Sequence, residues 1–123
     1  MRVLHAVLSG RMAGGQKVCL DLIRDQVVRG WDVLLSSPSE GPMVRACPDQ
    51  VRVFFHPVER IGRPAVLGQL VRFLRSERPD LIHTHVTVSG NVLWRLAGRL
   101  AGVPVINHVH IGNYFRPGSL SGR

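Results

Sequence analysis

Short, almost uninterrupted apolar runs alternate with longer segments of helical period over residues 3–109, and few folds accommodate that alternation. Val3 to Ser9 is the first run. It ends in small residues and reads as a buried strand. Gly10 to Gly15 form a glycine-bearing loop. From Gln16 to Arg29 the period becomes helical, with Cys19, Leu22, Ile23 and Val27 on one face. Asp25 and Arg29 stand one turn apart on the outer side, where they can form a weak ion pair. Gly30 follows where helices commonly end on a left-handed residue. Asp32 to Ser36 is a second strand, Ser37 to Gln50 a loop rich in Ser, Pro and Gly, and Val51 to Phe55 a third strand.

Pro64 opens a second helix, where its missing N–H is harmless, and Leu67, Leu70, Val71 and Leu74 form its apolar face. Pro79 disfavours helix at the residue before it, so this helix ends near Arg78. Leu81 to Thr84 is a fourth strand. Val88 to Ala101 is a third helix, with Val92, Leu96 and Leu100 stacked one turn apart and Gly102 as its stop. Val103 to Val109 is a fifth strand. Residues 111–123 have no period and read as a frayed tail, which leaves 1–110 as one domain.

Near-continuous apolar strands separated by amphipathic helices predict an α/β fold, a parallel sheet covered on both faces. Right-handed crossovers make it a doubly wound, Rossmann-like sheet. Ligands of such sheets bind beyond the carboxyl ends of the strands, near the switch point. Functional residues are therefore expected just after strands one, four and five.

Charge narrows the partners. Sixteen basic residues face eight acidic ones, a net charge of +8. The basic set is Lys17 and fifteen scattered arginines, with no interleaved aromatics to stack on bases, so nucleic acid is not expected as a partner. No apolar run approaches the length of a membrane span. The opening MRVLHAVLSG is too soon interrupted for a secretory leader, which points to the cytoplasm. Cys19 and Cys47 are far apart and without a motif, so two free thiols are expected, Cys19 half-buried.

The loop SGRMAGGQK joins the first strand to the first helix. Adjacent glycines let backbone approach a ligand closely, and the first free N–H groups of a helix favour an anion there. A phosphate is the natural guest, with Arg11 and Lys17 adding charge. A plain turn that only brings helix and strand together is the alternative. The loop lacks the dinucleotide G-x-G-x-x-G. It also misses a Walker loop, since Gln16 stands at the lysine position and Val18 where a Ser or Thr would hold magnesium. A P-loop-like NTPase remains a distant competitor.

DLIHTH and INHVH each carry two histidines at i and i+2, so His83 with His85, and His108 with His110, face one side of their strands. His83 and His108 read as core histidines with satisfied hydrogen bonds. His85 and His110, at the strand ends, are placed to hydrogen-bond a sugar or phosphate, or to exchange a proton. No carboxylate or cysteine adjoins either pair, so no metal is expected.

The strand MRVLHAV, Gly14-Gly15, the helix ending in RGWDVLLSS, then RPDLIHTH and GVPVINHVH, occur in an order and spacing that resemble the N-terminal half of glycosyltransferase family 4, enzymes of the GT-B fold. The resemblance runs from Met1 to about His110. It implies transfer of a sugar from a nucleotide-sugar donor to a glycan or lipid-linked acceptor, with retention and without metal or cofactor. Gly14 and Gly15 would then meet the donor's diphosphate, His85 would lie on the acceptor side with Asn91, Arg11 and Lys17, and His110 would hold the active-site histidine position. Trp31 stands where the family often has His, and His108 replaces its usual Thr.

The family's donor domain, with its paired glutamates, has no counterpart among Glu40, Glu59 and Glu77. The 123 residues alone are therefore expected to be inactive, a fragment or phosphate-binding module until a C-terminal domain completes them. An uncovered fifth strand would make the chain prone to association. Arg72, Arg75 and Arg78 flank an apolar stripe, which adds peripheral contact with an anionic membrane to the expected partners.

Overall fold

A computed structural model describes residues 1–7, 14–57, 64–85 and 88–107, with backbone alone at 14, 15 and 88–90. The chain runs β1 (Arg2–Val7), α1 (Gly14–Val28), β2 (Asp32–Ser37), α2 (Pro42–Ala46), β3 (Arg52–Phe55), α3 (Pro64–Glu77), β4 (Leu81–His85), α4 (Val88–Ala101) and β5 (Val105–Asn107). All five strands are parallel, in the order β3-β2-β1-β4-β5. This is the expected doubly wound sheet. The chain leaves β1 toward β2 but leaves β4 toward β5, so the switch point lies between β1 and β4.

Strand periodicity divides the core between the two sheet faces. Val3 and Val7 of β1 join Cys19, Leu20 and Ile23 of α1 and Met43 of α2 on one face. Leu4 and Ala6 join Val66, Leu70 and Leu74 of α3 and Leu93, Trp94 and Ala97 of α4 on the other. At the amino edge the Arg2 guanidinium bonds the Asp32 carboxylate at 2.6 Å, and the Arg2 backbone N–H donates to Asp80 at 2.8 Å. Arg52 reaches Glu77 at 2.8 Å. These charges join the starts of β1, β2 and β3 to the α3–β4 corner, at the end of the sheet away from the expected site.

Local signals end the helices as the sequence predicts. Gly30 and Gly102 adopt φ of +85° and +77°, a conformation that costs other residues strain. Arg78, caught between α3 and Pro79, takes φ of +50° itself. The Asp25–Arg29 pair forms at 2.8 Å, exposed and worth about 0.3–0.5 kcal/mol.

Three expectations are corrected. The segment expected as a loop contains α2, which Pro42 starts and whose Met43 is buried against α1. Cys19 is fully buried rather than half-buried, and both thiols are free. On α4, Val92, Leu96 and Leu100 are 55%, 43% and 52% exposed, while Leu93, Trp94 and Ala97 are buried. That helix carries apolar residues on two adjoining stripes, and packing against α3, β4 and β5 chooses between them. A Cβ on Gly98 would stand 2.6 Å from Val105 Cγ2 and 2.7 Å from the Val103 carbonyl, so Gly98 must face the strand. β5 itself borders the described sheet with Ile106 half-exposed.

Candidate functional site

The two helices that leave the switch-point strands both begin at the carboxyl edge. α1 starts at Gly14, two residues before the expected boundary. Gly14 and Gly15 therefore form the first helical turn rather than the end of a loop, and their N–H groups are among those a helix leaves without internal acceptors. Lys17 is exposed on the same opening turns, and Gln16, at the position a Walker lysine would take, is buried. α4 opens the same way beyond β4, with Asn91 as its fourth residue. Arg11, His108, His110 and the tail 111–123 lie outside the described residues.

His85 closes β4. It shares the parity of His83 and, across the register His5↔His83 and Val7↔His85, of His5 in β1. All three rings stand on the sheet face that α1 covers, with centroids 4.3 to 5.4 Å apart. The degree of burial reverses expectation. His85 is only 7% exposed, whereas His83, expected in the core, is half-buried. The reason is tertiary, because His85 lies against the fully buried His5 under α1, a contact the sequence spacing does not reveal.

A hydrogen-bond chain sets the tautomers. Gln26 of α1 presents its carbonyl Oε1 2.7 Å from His5 Nε2, so Nε2 carries the hydrogen and donates it. His5 Nδ1 is then a bare acceptor, and His85 Nε2, 3.2 Å away, donates to it. Burial lowers the His5 pKa from 6.5 to about 4, opposed in part by the Gln26 bond and reinforced by His83. His5 is therefore neutral at pH 7, and it holds the His85 ring by one specific nitrogen.

On the opposite sheet face, Thr84 links the ends of β4 and β5 to α4. Its Oγ1 lies 2.9 Å from Oδ1 of Asn91 and 2.9 Å from Oδ1 of Asn107. One hydroxyl hydrogen serves a single acceptor at a time, so Thr84 holds one or the other of these amide oxygens beside the carboxyl edge. Asn91 is buried and Asn107 half-buried.

The fold thus brings Gly14, Gly15, His85 and Asn91 to one edge. Sequence reasoning missed His5, Gln26, Thr84 and Asn107. A signal existed for His5 alone: it interrupts an apolar strand at a position whose parity with Val3 and Val7 is inward. A second polar cluster lies at the end of β3, where Ser36 Oγ is 2.7 Å from His56 Nδ1 and burial lowers the His56 pKa from 6.5 to about 4.

Comparison with known proteins gives the family and the fold. A glycosyl transferase 4-like domain model matches residues 13–123. The chain is 32% identical over 120 residues to the Escherichia coli UDP-Gal:alpha-D-GlcNAc-diphosphoundecaprenol alpha-1,3-galactosyltransferase, covering 94% of this chain and 31% of the relative. Its fold is similar to Anabaena HepE, solved with UDP and glucose, at a TM-score of 0.68 and 21% identity over 94% of this chain and 32% of that one. It is also similar to Acinetobacter baumannii MurG, at a TM-score of 0.70 and 16% identity over 88% of this chain and 34% of that one. The chain spans about a third of the length of these relatives.

Proposed function

The chain belongs to the glycosyl transferase 4-like domain family, and from that premise we propose that it is the acceptor-side half of a GT-B glycosyltransferase. The enzyme would move a sugar from a nucleotide-sugar donor to a glycan or lipid-linked acceptor, with retention at the anomeric carbon. Convergence at the switch point carries this assignment: the first turn of α1, the last residue of β4 and the first turn of α4 meet at one edge of the sheet.

The chemistry needs a place for the charge that develops on the departing diphosphate. The N–H groups of Gly14 and Gly15 supply it, aided by a helix dipole of about 0.3–1 kcal/mol. His85 and Asn91 hydrogen-bond the acceptor, Arg11 and Lys17 add positive charge beside it, and His110 touches the transferred sugar. No cofactor is required, since the nucleotide-sugar is itself the substrate. Closing a second domain over this edge brings donor and acceptor together, so these residues alone should bind without turning over.

An amide-labelled chain titrated with UDP and, separately, with a short-chain lipid-diphosphate sugar tests this. Resonance shifts at Gly14 and Gly15 with UDP, and at His85 and Asn91 with the acceptor, are expected. Saturable shifts confined to other parts of the fold would overturn the assignment.

A lipid-borne acceptor also calls for a membrane-facing surface, which we place on α3 and α4. Arg72, Arg75 and Arg78 are exposed on and after α3, and Arg95 and Arg99 flank the exposed Leu96 of α4. Each arginine near an anionic surface adds about 1 kcal/mol. No described helix is long and apolar enough to cross a membrane. On this reading the domain works as a peripheral protein at the inner face of the cell membrane. Liposome co-sedimentation should show pelleting that high salt abolishes, and its absence at low salt removes this surface from the proposal.

A further inference from the structure

Beneath α1, three soft or borderline ligand atoms meet, and two of them, on His5 and Cys19, have no part in the sugar transfer proposed above. The side chains of His5, Cys19 and His85 are all buried, and their ligating atoms lie within 4.8 Å of one another. They come from three elements, β1, α1 and β4, and no pair of them is adjacent in sequence. We propose that these three residues hold one zinc ion, with a water molecule as the fourth ligand, which pins α1 to the two strands of the switch point.

The donor set suits the ion. Zinc takes thiolate and imidazole together, at about 2.3 Å for sulfur and about 2.0–2.1 Å for nitrogen. Two nitrogens on a tetrahedral zinc then stand about 3.3 Å apart, and His5 Nδ1 lies 3.2 Å from His85 Nε2. Nitrogen and sulfur on such an ion stand about 3.6 Å apart, and the three ligand atoms already lie within 4.8 Å of one another.

The outer shell is present as well. A metal-bound histidine normally donates its other ring N–H to a carbonyl or carboxylate, which fixes the tautomer. Gln26 Oε1 accepts from His5 Nε2 at 2.7 Å, so Nδ1 already presents its lone pair. Coordination sends the Cys19 thiol proton to solvent and selects the His85 tautomer with hydrogen on Nδ1. In a buried site the ion enters as the chain folds.

The test is independent of the transferase reading, although His85 is shared, because cobalt spectroscopy reports the ion without donor or acceptor. The chain is stripped with chelator and refolded with Co2+. We expect a visible tetrahedral band and a near-ultraviolet thiolate-to-cobalt band at one ion per chain, both displaced by Zn2+. The thiolate band should vanish in Cys19→Ala and persist in Cys47→Ser. Gln26→Leu should weaken zinc binding by about 10- to 100-fold. A folded chain with no thiolate band overturns the proposal, as does a band that survives Cys19→Ala. If Cys19→Ala does not fold, Cys47→Ser still decides, since the chain has two cysteines and a band kept there has Cys19 as its source.

Discussion

His5 Nδ1 lies 3.2 Å from His85 Nε2 although His5 pairs in register with His83, so the contact runs diagonally across the boundary between β1 and β4. This boundary is also the topological switch point, where sheets of this kind bind ligands. A neutral, buried histidine thus orients the residue proposed to meet the acceptor, and Gln26 on α1 orients that histidine in turn.

Burial of uncharged histidines makes the fold acid-sensitive. His5 and His56 both have native pKa values lowered to about 4, below the unfolded value of 6.5. The unfolded chain therefore binds more protons between those limits. Stability should be complete above about pH 6.5 and decline as pH falls toward 4, with His5 contributing up to ~3 kcal/mol. Urea midpoints measured from pH 7 to pH 4 check this, with His5→Gln expected to flatten part of the slope. A midpoint that does not move over that range refutes it.

Two helical glycines should respond oppositely to alanine. At Gly98 the new Cβ meets the Val103 carbonyl and Val105 at under 3 Å, so Gly98→Ala should cost about 1–3 kcal/mol. At Gly68, exposed on α3, nothing stands within 4 Å, and Gly68→Ala should add about 0.5–1 kcal/mol. Thermal unfolding of the two variants side by side gives the signs, and a stabilised Gly98→Ala would contradict the close α4–β5 contact.

The exposed stripe of α4 should be dispensable for stability. Leu96→Gln and Leu100→Gln are expected to change it by less than about 0.5 kcal/mol, whereas Leu93→Ala should cost about 2–5 kcal/mol. The same polar pair should reduce self-association in dynamic light scattering, because it removes exposed apolar surface. A large stability loss in Leu96→Gln would mean that the stripe is covered.

On the proposed reading, Thr84 positions Asn91 for the acceptor. Thr84→Val keeps its shape and deletes the hydroxyl that lies 2.9 Å from Asn91 Oδ1. Acceptor affinity should fall about 3- to 10-fold, about 1 kcal/mol, while UDP binding at the glycine turn stays unchanged. Calorimetry with each ligand separates the two, and an equal loss for both would indicate general damage instead.

Much of the architecture was legible in the residues. The family resemblance and the doubly wound sheet both hold, and Gly30, Gly102 and Pro79 end helices where their backbone preferences require. The glycine pair and His85 were traceable to the carboxyl edge because a strand's direction follows from the order of elements. The segment after Ser37 was misread because five residues of helix give too short a period to detect, and only burial of Met43 explains α2.

Sequence by itself determined what a few neighbouring residues decide: element type through apolar period, helix ends through glycine and proline, and which face of a strand each residue joins. The tertiary structure alone decided which stripe of α4 is buried, that His85 is more enclosed than His83, and that His5, Cys19 and Gln26 meet beneath α1. The physical reason is separation along the chain. His5 and His85 are 80 residues apart, and their contact exists only once strand order and register have placed β1 beside β4.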